Sequence, residues 1–373
     1  KSGDETVAAI TVPVSVTAAA VIEAPENVTF NGSVISWDAV DGATSYRVTV
    51  TFGETPQTYT AEETQYDIAD ALTQEGAYTI SVKAVADTAE SLANELVLTA
   101  ISTLNVFMTI DEAPDGNYIL LDDIDFNGKS YQNSPVIGTL TGVLDGNGHA
   151  LKNYSMVNSW SAFITRVSGT IRNLNVRPNS YTTHAASALF VDWLDGTLEN
   201  IHLYVPSVTG NAISGTSNCA GLAVARRNAG STLRNVTVVA VWTGVDSSGN
   251  NSDANTFVFG KRVDAEGEYT VTDCSAVLVN APDAITKDTA ATYVTYNQAA
   301  VTVAEGAAVQ LSADIAEGYT LSFVSGNAET ATVSETGLVT GVAEGDTAVT
   351  VTIKSGGETV ATLSVAVSVT AGV

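Results

Sequence analysis

The stretch GTIRNLNV at residues 169–176 decides the fold, because its pattern recurs along the middle of the chain. Each copy has an apolar residue two positions before an Asn or Asp, one directly after it and one two positions further on. This pattern predicts a short strand, a polar corner and a second short strand. Such repeats stack and bury a shared core that no single copy could bury alone. The other copies are HALKNYSM (149–156), GTLENIHL (196–203), STLRNVTV (231–238) and YTVTDCSA (269–276).

The corner residues set the expected length of one rung of the stack. Asn tolerates left-handed backbone and bonds its own neighbours, which suits a corner. Successive corners are 20, 27, 35 and 38 residues apart, so a bare rung of about 20 residues with growing insertions is expected. The corner residues are Asn153, Asn173, Asn200, Asn235 and Asp273.

Composition narrows the class of protein. A chain of 373 residues is too long for one ordinary core, and its many Val, Ile and Thr residues favour strands. The 41 Asp and Glu residues outnumber 15 Lys and Arg residues, giving a net charge of −26. Such a surface repels phosphate backbones, so no nucleic-acid partner is expected. The charge suits a soluble exported protein or, as an alternative, one that collects divalent cations.

The apolar runs and the cysteines bear on where the protein resides and on how it is stabilised. No apolar run reaches about 18 residues, so the chain is not expected to be membrane-embedded. Two cysteines do not make a disulfide framework. Cys274 occupies the position of Leu174 and Ile201 in sister copies, which predicts a buried apolar filler. A bridge between Cys219 and Cys274 is the alternative.

The two ends of the chain repeat each other. Residues 1–19 and 354–372 are identical at 13 of 19 positions, and residues 7–17 alternate apolar and polar side chains as a strand does. Residues 1–20 are therefore expected to be the terminal strand of a preceding domain in a tandem array. A strand without its domain exposes unpaired backbone groups. Residues 7–17 are thus a candidate for strand pairing with another chain.

Residues 21–100 show alternating strands and turns. Trp37 lies on the second strand, Tyr46 opens the third, and Leu72 and Tyr78 frame a corner. This arrangement resembles a fibronectin type III domain. The resemblance implies a β-sandwich in which the corner tyrosine hydrogen-bonds to upstream backbone. It also implies a spacer role.

Residues 101–290 hold the repeats. A short helix capped by Ser102 or Thr103 is expected before the first rung, because that rung would otherwise expose its core. Residues 116–126 and 135–149 resemble the opening rungs of right-handed parallel β-helices of bacterial surface proteins, of the GLUG or pectate-lyase-like type. A second strand per rung follows the glycine-leucine-rich pattern of that family. It is seen at residues 162–164, 188–190, 221–223 and 257–260.

Residues 291–373 form the last domain. The segment ATVSETGLVTGVAEG at residues 331–345 resembles the signature of bacterial immunoglobulin-like group 2 domains. The resemblance implies an Ig-like sandwich of the kind found in stalks of surface adhesins and in phage virion proteins. The predicted fold is therefore all-β, with a right-handed parallel β-helix flanked by immunoglobulin-like sandwich domains.

Three insertions at residues 177–187, 206–219 and 242–255 leave from the same point of the repeat. Insertions on one face of a solenoid commonly form its binding face. Sugars stack on exposed aromatic rings while amides and carboxylates bind the hydroxyls. Burial of Trp242 under its own loop is the alternative to sugar contact. The candidate ligand-binding residues are Trp242, Tyr181, His184, Asn211, Asn218, Asp246 and Asp253.

Carboxylates, arginines and histidines of the repeats are the candidates for catalysis or metal binding. Pectate-lyase-like enzymes need paired carboxylates, or calcium with an Arg or Lys base. Asp192 and Asp195 flank Trp193, with Arg226 and Arg227 one rung on, and a surface ion pair between Asp192 and Arg226 is the favoured interpretation. No catalytic residue, metal site or cofactor is assigned. Three scattered histidines (His149, His184 and His202) do not make a metal site, and calcium at Asp122, Asp123 and Asp125 is an alternative to a solvated corner.

The sequence thus predicts a segment of an extracellular, modular surface protein, bacterial or from a phage virion. The favoured function is adhesion, with the β-helix insertions binding glycan or another surface ligand. The alternatives are a polysaccharide-cleaving enzyme and a purely structural stalk or fibre unit.

Overall fold

The computed structural model is all-β, as expected from the sequence. It describes residues 22–87, 89–157, 162–182, 187–209, 220–244, 258–263, 267–279, 291–296, 300–311, 313–314, 318–355 and 357–372. Residues 1–20, including the strand predicted at 7–17, lie outside that range. The described residues fall into two compact units. The first comprises residues 22–30, 34–71 and 79–96, and the second comprises residues 31–33, 72–78 and 97–372.

The first unit is built from antiparallel strands around Ile35, Trp37, Val48 and Ile80, all buried. Burial alternates along the strands as predicted, because successive side chains point to opposite faces. The Trp37 and Tyr46 rings meet edge to face at 5.2 Å. The strands are β1 (Thr29–Asn31), β2 (Val34–Ser36), β3 (Ser45–Phe52), β4 (Thr55–Ala61), β5 (Gln65–Asp67), β6 (Gly76–Ala86) and β7 (Ala89–Glu90), with a 3-10 helix at Ala69–Ala71.

The expected tyrosine corner is present. The Gln74 N–H donates to the Tyr78 hydroxyl and that hydroxyl donates to the Gln74 carbonyl, both at 3.0 Å. The buried Tyr78 ring therefore fixes the turn that precedes β6.

Residues 97–296 of the second unit, here called the ladder module, consist of parallel strands. A short helix, α1 (Leu104–Phe107), and a 3-10 helix (Met108–Glu112) precede the first rung. The Thr103 hydroxyl accepts from the Val106 N–H at 3.4 Å, and Phe107 is buried in the module's core. This confirms the predicted cap. The strands are β8 (Asn94–Ile101), β9 (Asn117–Leu120), β10 (Ile124–Tyr131), β11 (Ile137–Leu140), β12 (Val143–Asp145), β13 (Ala150–Met156), β14 (Ile164–Val167), β15 (Thr170–Arg177), β16 (Ser180–Thr182), β17 (Ser187–Ala188), β18 (Val191–Leu194), β19 (Thr197–Thr209), β20 (Ala220–Gly221), β21 (Val224–Arg227), β22 (Thr232–Gly244), β23 (Phe259–Arg262), β24 (Thr270–Thr272), β25 (Ser275–Val279) and β26 (Ala291–Tyr296).

Three parallel ladders of the module are called A, B and C, and a further column of parallel pairs joins the ends of β10 and β13 to β16 and to the ends of β19 and β22. Ladder A joins β9, β12, the starts of β15, β19 and β22, and then β24. Ladder B joins β10, β13, the continuations of β15, β19 and β22, and then β25 and β26. Ladder C joins β11, β14, β18, β21 and β23. The second strands predicted from the glycine-leucine-rich pattern are displaced from it: the segments 162–164 and 257–260 overlap β14 and β23 only at their ends, and the segments 188–190 and 221–223 directly precede β18 and β21. The inward residues of all three ladders share one core.

The register corrects the expected rung length. Val143 pairs with Thr170, and Thr170 pairs with Thr197, so an uninterrupted rung has 27 residues rather than about 20. The predicted spacing was wrong because Asn153 is not in the same column as Asn173. Leu151 pairs with Val176, which places Asn153 at the next corner along the chain, in ladder B. The two corners have the same local sequence pattern, and only non-local pairing distinguishes them.

The corner residues themselves adopt the predicted conformation. Asn153, Asn173, Asn200, Asn235 and Asp273 have φ between 49° and 62°. Between ladders A and B the side chains of Asn173, Asn200 and Asn235 form a continuous hydrogen-bonded row, here called the asparagine ladder. Asn235 Nδ2 donates to Asn200 Oδ1 and Asn200 Nδ2 donates to Asn173 Oδ1, both at 2.9 Å. Asn173 Nδ2 donates in turn to Asp145 at 3.0 Å.

Asp145 is the anchor of this row. Its carboxylate is fully buried, and it accepts from Arg172 Nε at 2.7 Å and from the backbone N–H groups of Gly32 and Asn147 at 2.8 and 2.9 Å. A buried carboxylate is tolerable only with such a full set of donors.

Both ends of the ladders continue into neighbouring strands. Ile101 at the end of β8 pairs in parallel with Leu120 of β9, and Tyr296 of β26 pairs antiparallel with Ala313.

Cys274 is partly buried against the module's core as a thiol, with its Sγ near the Thr272 carbonyl (3.4 Å). This is consistent with a filler role rather than a bridge. Cys219 is outside the described residues.

Residues 300–372, here called the C-terminal domain, form two sheets. One has the order β27, β34, β33, β30 and the other has the order β28, β32, β31. Their core includes Val349, Val351 and Val367, and it continues onto Val239 and Val277 of ladder B. The strands are β27 (Ala300–Ala304), β28 (Ala308–Gln310), β29 (Ala313–Asp314), β30 (Tyr319–Ser325), β31 (Ala331–Val333), β32 (Leu338–Gly341), β33 (Gly345–Ser355) and β34 (Glu358–Thr370).

Candidate functional site

The two aromatic residues expected in the insertions are not on the surface. Trp242 is 3% exposed and Tyr181 is 0% exposed, and both belong to the ladder module's core. Trp242 does not open a loop, because β22 continues to Gly244 and pairs it with Val208 of β19. Neither ring is available for sugar stacking in this structure, so the expectation of exposed rings is corrected. The alternative of a buried Trp242 agrees with the structure.

The remaining candidates from the insertions cannot be placed. They lie outside the described residues, and their role in ligand binding stays a prediction. They are His184, Asn211, Asn218, Asp246 and Asp253.

The carboxylates and arginines of ladder C do come together. Arg226 Nη1 lies 3.1 Å from Asp192 Oδ1, so the two side chains pair as predicted, but Asp192 is buried and the pair is not on the surface. The guanidinium groups of Arg166 and Arg226 lie 5.9 and 4.7 Å from the Trp193 ring centre. Burial raises the pKa of Asp192, against the opposing effect of Arg226. Trp193 therefore has an arginine partner on each neighbouring strand, and this cluster joins neighbouring rungs.

Asp195 has a comparable linking role. It accepts from Arg166 Nη2 and Ser168 Oγ at 3.0 Å and from the Asn228 amide. Burial raises the pKa of this carboxyl, but the hydrogen bonds from Asn228, Arg166 and Ser168 together lower it below its usual value. Arg227 lies apart, buried, with Nε donating to the Gly260 carbonyl at 3.2 Å.

The acidic corner considered for calcium is occupied by protein donors. Asp123 accepts from Lys152 Nζ at 2.8 Å and from the Ala150 N–H at 2.9 Å, and Lys152 is the main cause of its lowered pKa. Asp125 accepts from Asn153 and from the Asn127 N–H, while Asp122 accepts from the Asp123 N–H. Over the described ranges, no group of three or more His, Cys, Asp or Glu side chains is arranged to hold a metal ion.

A groove of about 530 Å³ lies on the outward face of ladder B, here called the ladder B groove. Its floor comes from consecutive strands of the ladder, and its wall comes from the C-terminal domain. The floor has a polar row in which each residue is the register partner of the next: Asn175, His202, Thr237 and Ser275. The other lining residues are Arg177, Leu203, Tyr204, Val238, Val239, Val277, Tyr319, Thr359 and Thr362.

Hydrogen bonds orient the groove's side chains. His202 Nδ1 lies 2.6 Å from Thr237 Oγ1 on the next strand. Burial and then the nearby Arg177 lower the pKa of His202, so the imidazole is neutral at pH 7 and can both donate and accept. The Tyr204 hydroxyl donates to the Thr362 carbonyl at 3.2 Å, and burial raises its pKa.

A second polar depression of about 400 Å³ adjoins this groove, and the two share Asn175 and His202. All of its residues belong to the second unit. They are Asn31, Gly32, Asn147, Gly148, Asn173, Asn175, Asn200 and His202. Amide groups thus dominate the surface that leads into the ladder B groove.

Sequence reasoning missed this site because it searched the insertions rather than the repeats. A signal was present, since Asn175, His202, Thr237 and Ser275 each stand two positions after a corner residue. A polar side chain at one outward repeat position predicts a polar row on a ladder. The wall could not have been found in this way, because it comes from the C-terminal domain, which does not share the repeat.

Comparison with known proteins identifies the C-terminal domain alone. Residues 290–365 match the family of bacterial Ig-like domains (group 2). Domains of this family occur in bacterial surface and extracellular proteins, which is consistent with a role in a surface protein. A search of curated proteins returned no significant match. Within the described residues, no helix is both long and apolar enough to cross a membrane.

Proposed function

We propose that this chain is a segment of an extracellular surface protein, bacterial or from a phage virion, whose ladder module binds a glycan in the ladder B groove. The observation that carries the proposal is the groove itself. Its volume lies within the ~300–1,000 Å³ of small-molecule sites, so it has room for a short oligosaccharide. Its amide, imidazole and hydroxyl groups suit sugar hydroxyls, and Tyr204 and Tyr319 offer ring faces.

The architecture behind this proposal is a right-handed parallel β-helix at residues 101–290. The three parallel ladders, the shared core and the 27-residue register support it. We further propose that residues 21–100 are a fibronectin type III-like spacer, for which the Tyr78 corner is support. Residues 1–20 remain a proposed strand of a preceding group 2 domain, with residues 7–17 able to pair with another chain.

The enzyme alternative has less support than binding. The carboxylates of ladder C that were candidates for catalysis are held by arginines and an amide. The stalk alternative would leave the polar groove without a role.

Size-exclusion chromatography of labelled polysaccharides from mucin and bacterial envelopes, incubated with the full chain, tests the proposal. We expect a polymer to co-elute intact with the protein. His202→Ala should weaken binding at least tenfold. The matched control is Glu199→Gln, also outward on β19 but outside the groove, and it should bind as the unmodified chain does. If a polymer elutes at a smaller size, the protein is an enzyme and the binding proposal is wrong. If no polymer co-elutes with the protein, the remaining interpretation is a structural stalk unit.

A further inference from the structure

The ladder B groove differs in charge from the rest of the protein. The chain has 41 acidic and 15 basic residues, yet the described residues that line the groove include no Asp or Glu. Its charged side chain is Arg177, with the imidazole of His202 beside it. A lining whose described residues include no carboxylate, on so acidic a protein, favours ligands that carboxylates would repel.

Arg177 differs from the other arginines whose side chains the structure describes. Arg47, Arg166, Arg172, Arg226 and Arg234 each form an ion pair with a carboxylate. Arg227 is buried against the Gly260 carbonyl. Arg177, the last residue of β15, is exposed, and in the described part of the chain it forms no ion pair.

Among the described residues, the neighbours of Arg177 do not supply a carboxylate that would neutralise its charge. Its register partner is Lys152, whose ammonium group is already neutralised by Asp123 at 2.8 Å. Arg177 and His202 line the same groove, and the guanidinium adds to the lowering of the His202 pKa by burial. An anion placed between them would meet a guanidinium and an imidazole N–H together.

We propose that the ligand of the ladder B groove is a saccharide with a carboxylate on its terminal sugar, and that Arg177 binds this carboxylate. The inference rests on the proposed function and deepens it. The planar guanidinium matches a carboxylate with two parallel hydrogen bonds. Asn175, His202 and Thr237 lie along the same floor and bind the neighbouring hydroxyls. The tyrosines of the groove pack against the sugar rings.

The test measures binding of three probes to the full chain by isothermal titration calorimetry. The probes are 3′-sialyllactose, the methyl ester of the same trisaccharide, and lactose. We expect the acid to bind at least tenfold more tightly than the ester or lactose. Arg177→Gln should weaken binding of the acid at least tenfold and change binding of the neutral probes less than twofold. Arg177→Lys should have an affinity for the acid between those of the unmodified chain and Arg177→Gln. Lysine keeps the positive charge but cannot donate two parallel hydrogen bonds to a carboxylate.

Arg234→Gln is the matched control, since Arg234 is also exposed but pairs with Glu199 on ladder A. It should leave every affinity unchanged. Arg177 makes no ion pair in the described residues, so its variants should keep the melting temperature of the unmodified chain. If acid and neutral probes bind equally and Arg177→Gln has no effect, the inference is overturned while the proposed glycan site stands. If no probe binds, or if binding is insensitive to His202→Ala, both are overturned.

Discussion

At the scale of the residue, the corner asparagines account for most of what the sequence could predict. Their left-handed backbone follows from the Asn side chain, and all five corners have it. The assignment of Asn153 to the same column failed for a physical reason. A corner is a local property, whereas a column is set by hydrogen bonds to a strand 27 residues away.

Substitution of Asn200 tests the asparagine ladder. Asn200→Ala removes two side-chain hydrogen bonds and forces a Cβ-bearing residue without a local bond into φ 53°. We expect a loss of roughly 2–4 kcal/mol in the free energy of unfolding. Asn200→Gly loses the hydrogen bonds without the strain, so its loss should be about 1 kcal/mol smaller. Urea denaturation of both variants measures the difference, and equal losses would rule out backbone strain at the corner.

At the scale of the element, a column of glycines sets how closely the rungs approach. A Cβ on Gly169 would overlap the Gly142 carbonyl, and a Cβ on Gly196 would overlap the Gly169 carbonyl. Each of these glycines precedes a strand of ladder A. Sequence reasoning recorded the glycine in the repeat but gave it no role, because the clash involves the neighbouring rung.

Gly169→Ala should therefore be severely destabilising. We expect a loss above about 3 kcal/mol, because rigid backbone has to move. Gly148→Ala is the control: it has φ 83° with open space around its Cβ position, and should cost about 1–2 kcal/mol for backbone conformation alone. Thermal unfolding of the two variants compares them. Similar melting temperatures would show that the rungs can separate at low cost.

Two carboxylates of ladder C should respond to acid in opposite directions. The pKa of Asp195 is lowered by folding, so its stabilisation is present above its ordinary pKa of 3.8 and is lost as the pH falls through the folded value. The pKa of Asp192 is raised, so its contribution is present below 3.8 and is lost as the pH rises through the folded value.

Denaturation at pH 5 and pH 2.5 separates these effects. The free energy of unfolding of the unmodified chain minus that of Asp195→Asn should be smaller at pH 2.5 than at pH 5. The same difference taken with Asp192→Asn should be larger at pH 2.5 than at pH 5. Changes of the same sign for both variants would contradict the burial that distinguishes the two side chains.

The strands of the ladder module also show where prediction from the pattern ends. The cap at Thr103 followed from local signals, and the glycine-leucine-rich segments marked only the residues just before or at the start of the ladder C strands. The extension of β22 to Gly244 did not, because its apolar residues continue past the repeat into what reads as an insertion. Trp242 therefore points into the core, where a loop residue would have been exposed.

At the scale of the whole molecule, outward residues acquire meaning only from distant parts of the chain. Val239 and Val277 of ladder B are outward apolar residues that the repeat pattern leaves unexplained. In the structure they join the core of the C-terminal domain. Tyr204 likewise bonds to Thr362, 158 residues away. No local pattern in the sequence could have revealed this surface.

The division into two compact units predicts at least two thermal transitions. Ile80→Ala creates a cavity in the first unit, and Leu198→Ala creates one in the second, at about 2–5 kcal/mol each. Differential scanning calorimetry should show that each variant lowers a different transition. If both variants lowered one common transition, the two units would be cooperative.

The continuation of the ladders into neighbouring strands has a consequence for assembly. An open edge of a parallel sheet is a template on which further copies can add and grow into a fibre. Here β8 occupies the edge of β9 at the first rung of ladder A, and β29 occupies the edge of β26 at the last strand of ladder B. At these two edges strands of the same unit occupy the position that a further copy would take. Strands that flank a ladder in the same chain can therefore also protect it from aggregation.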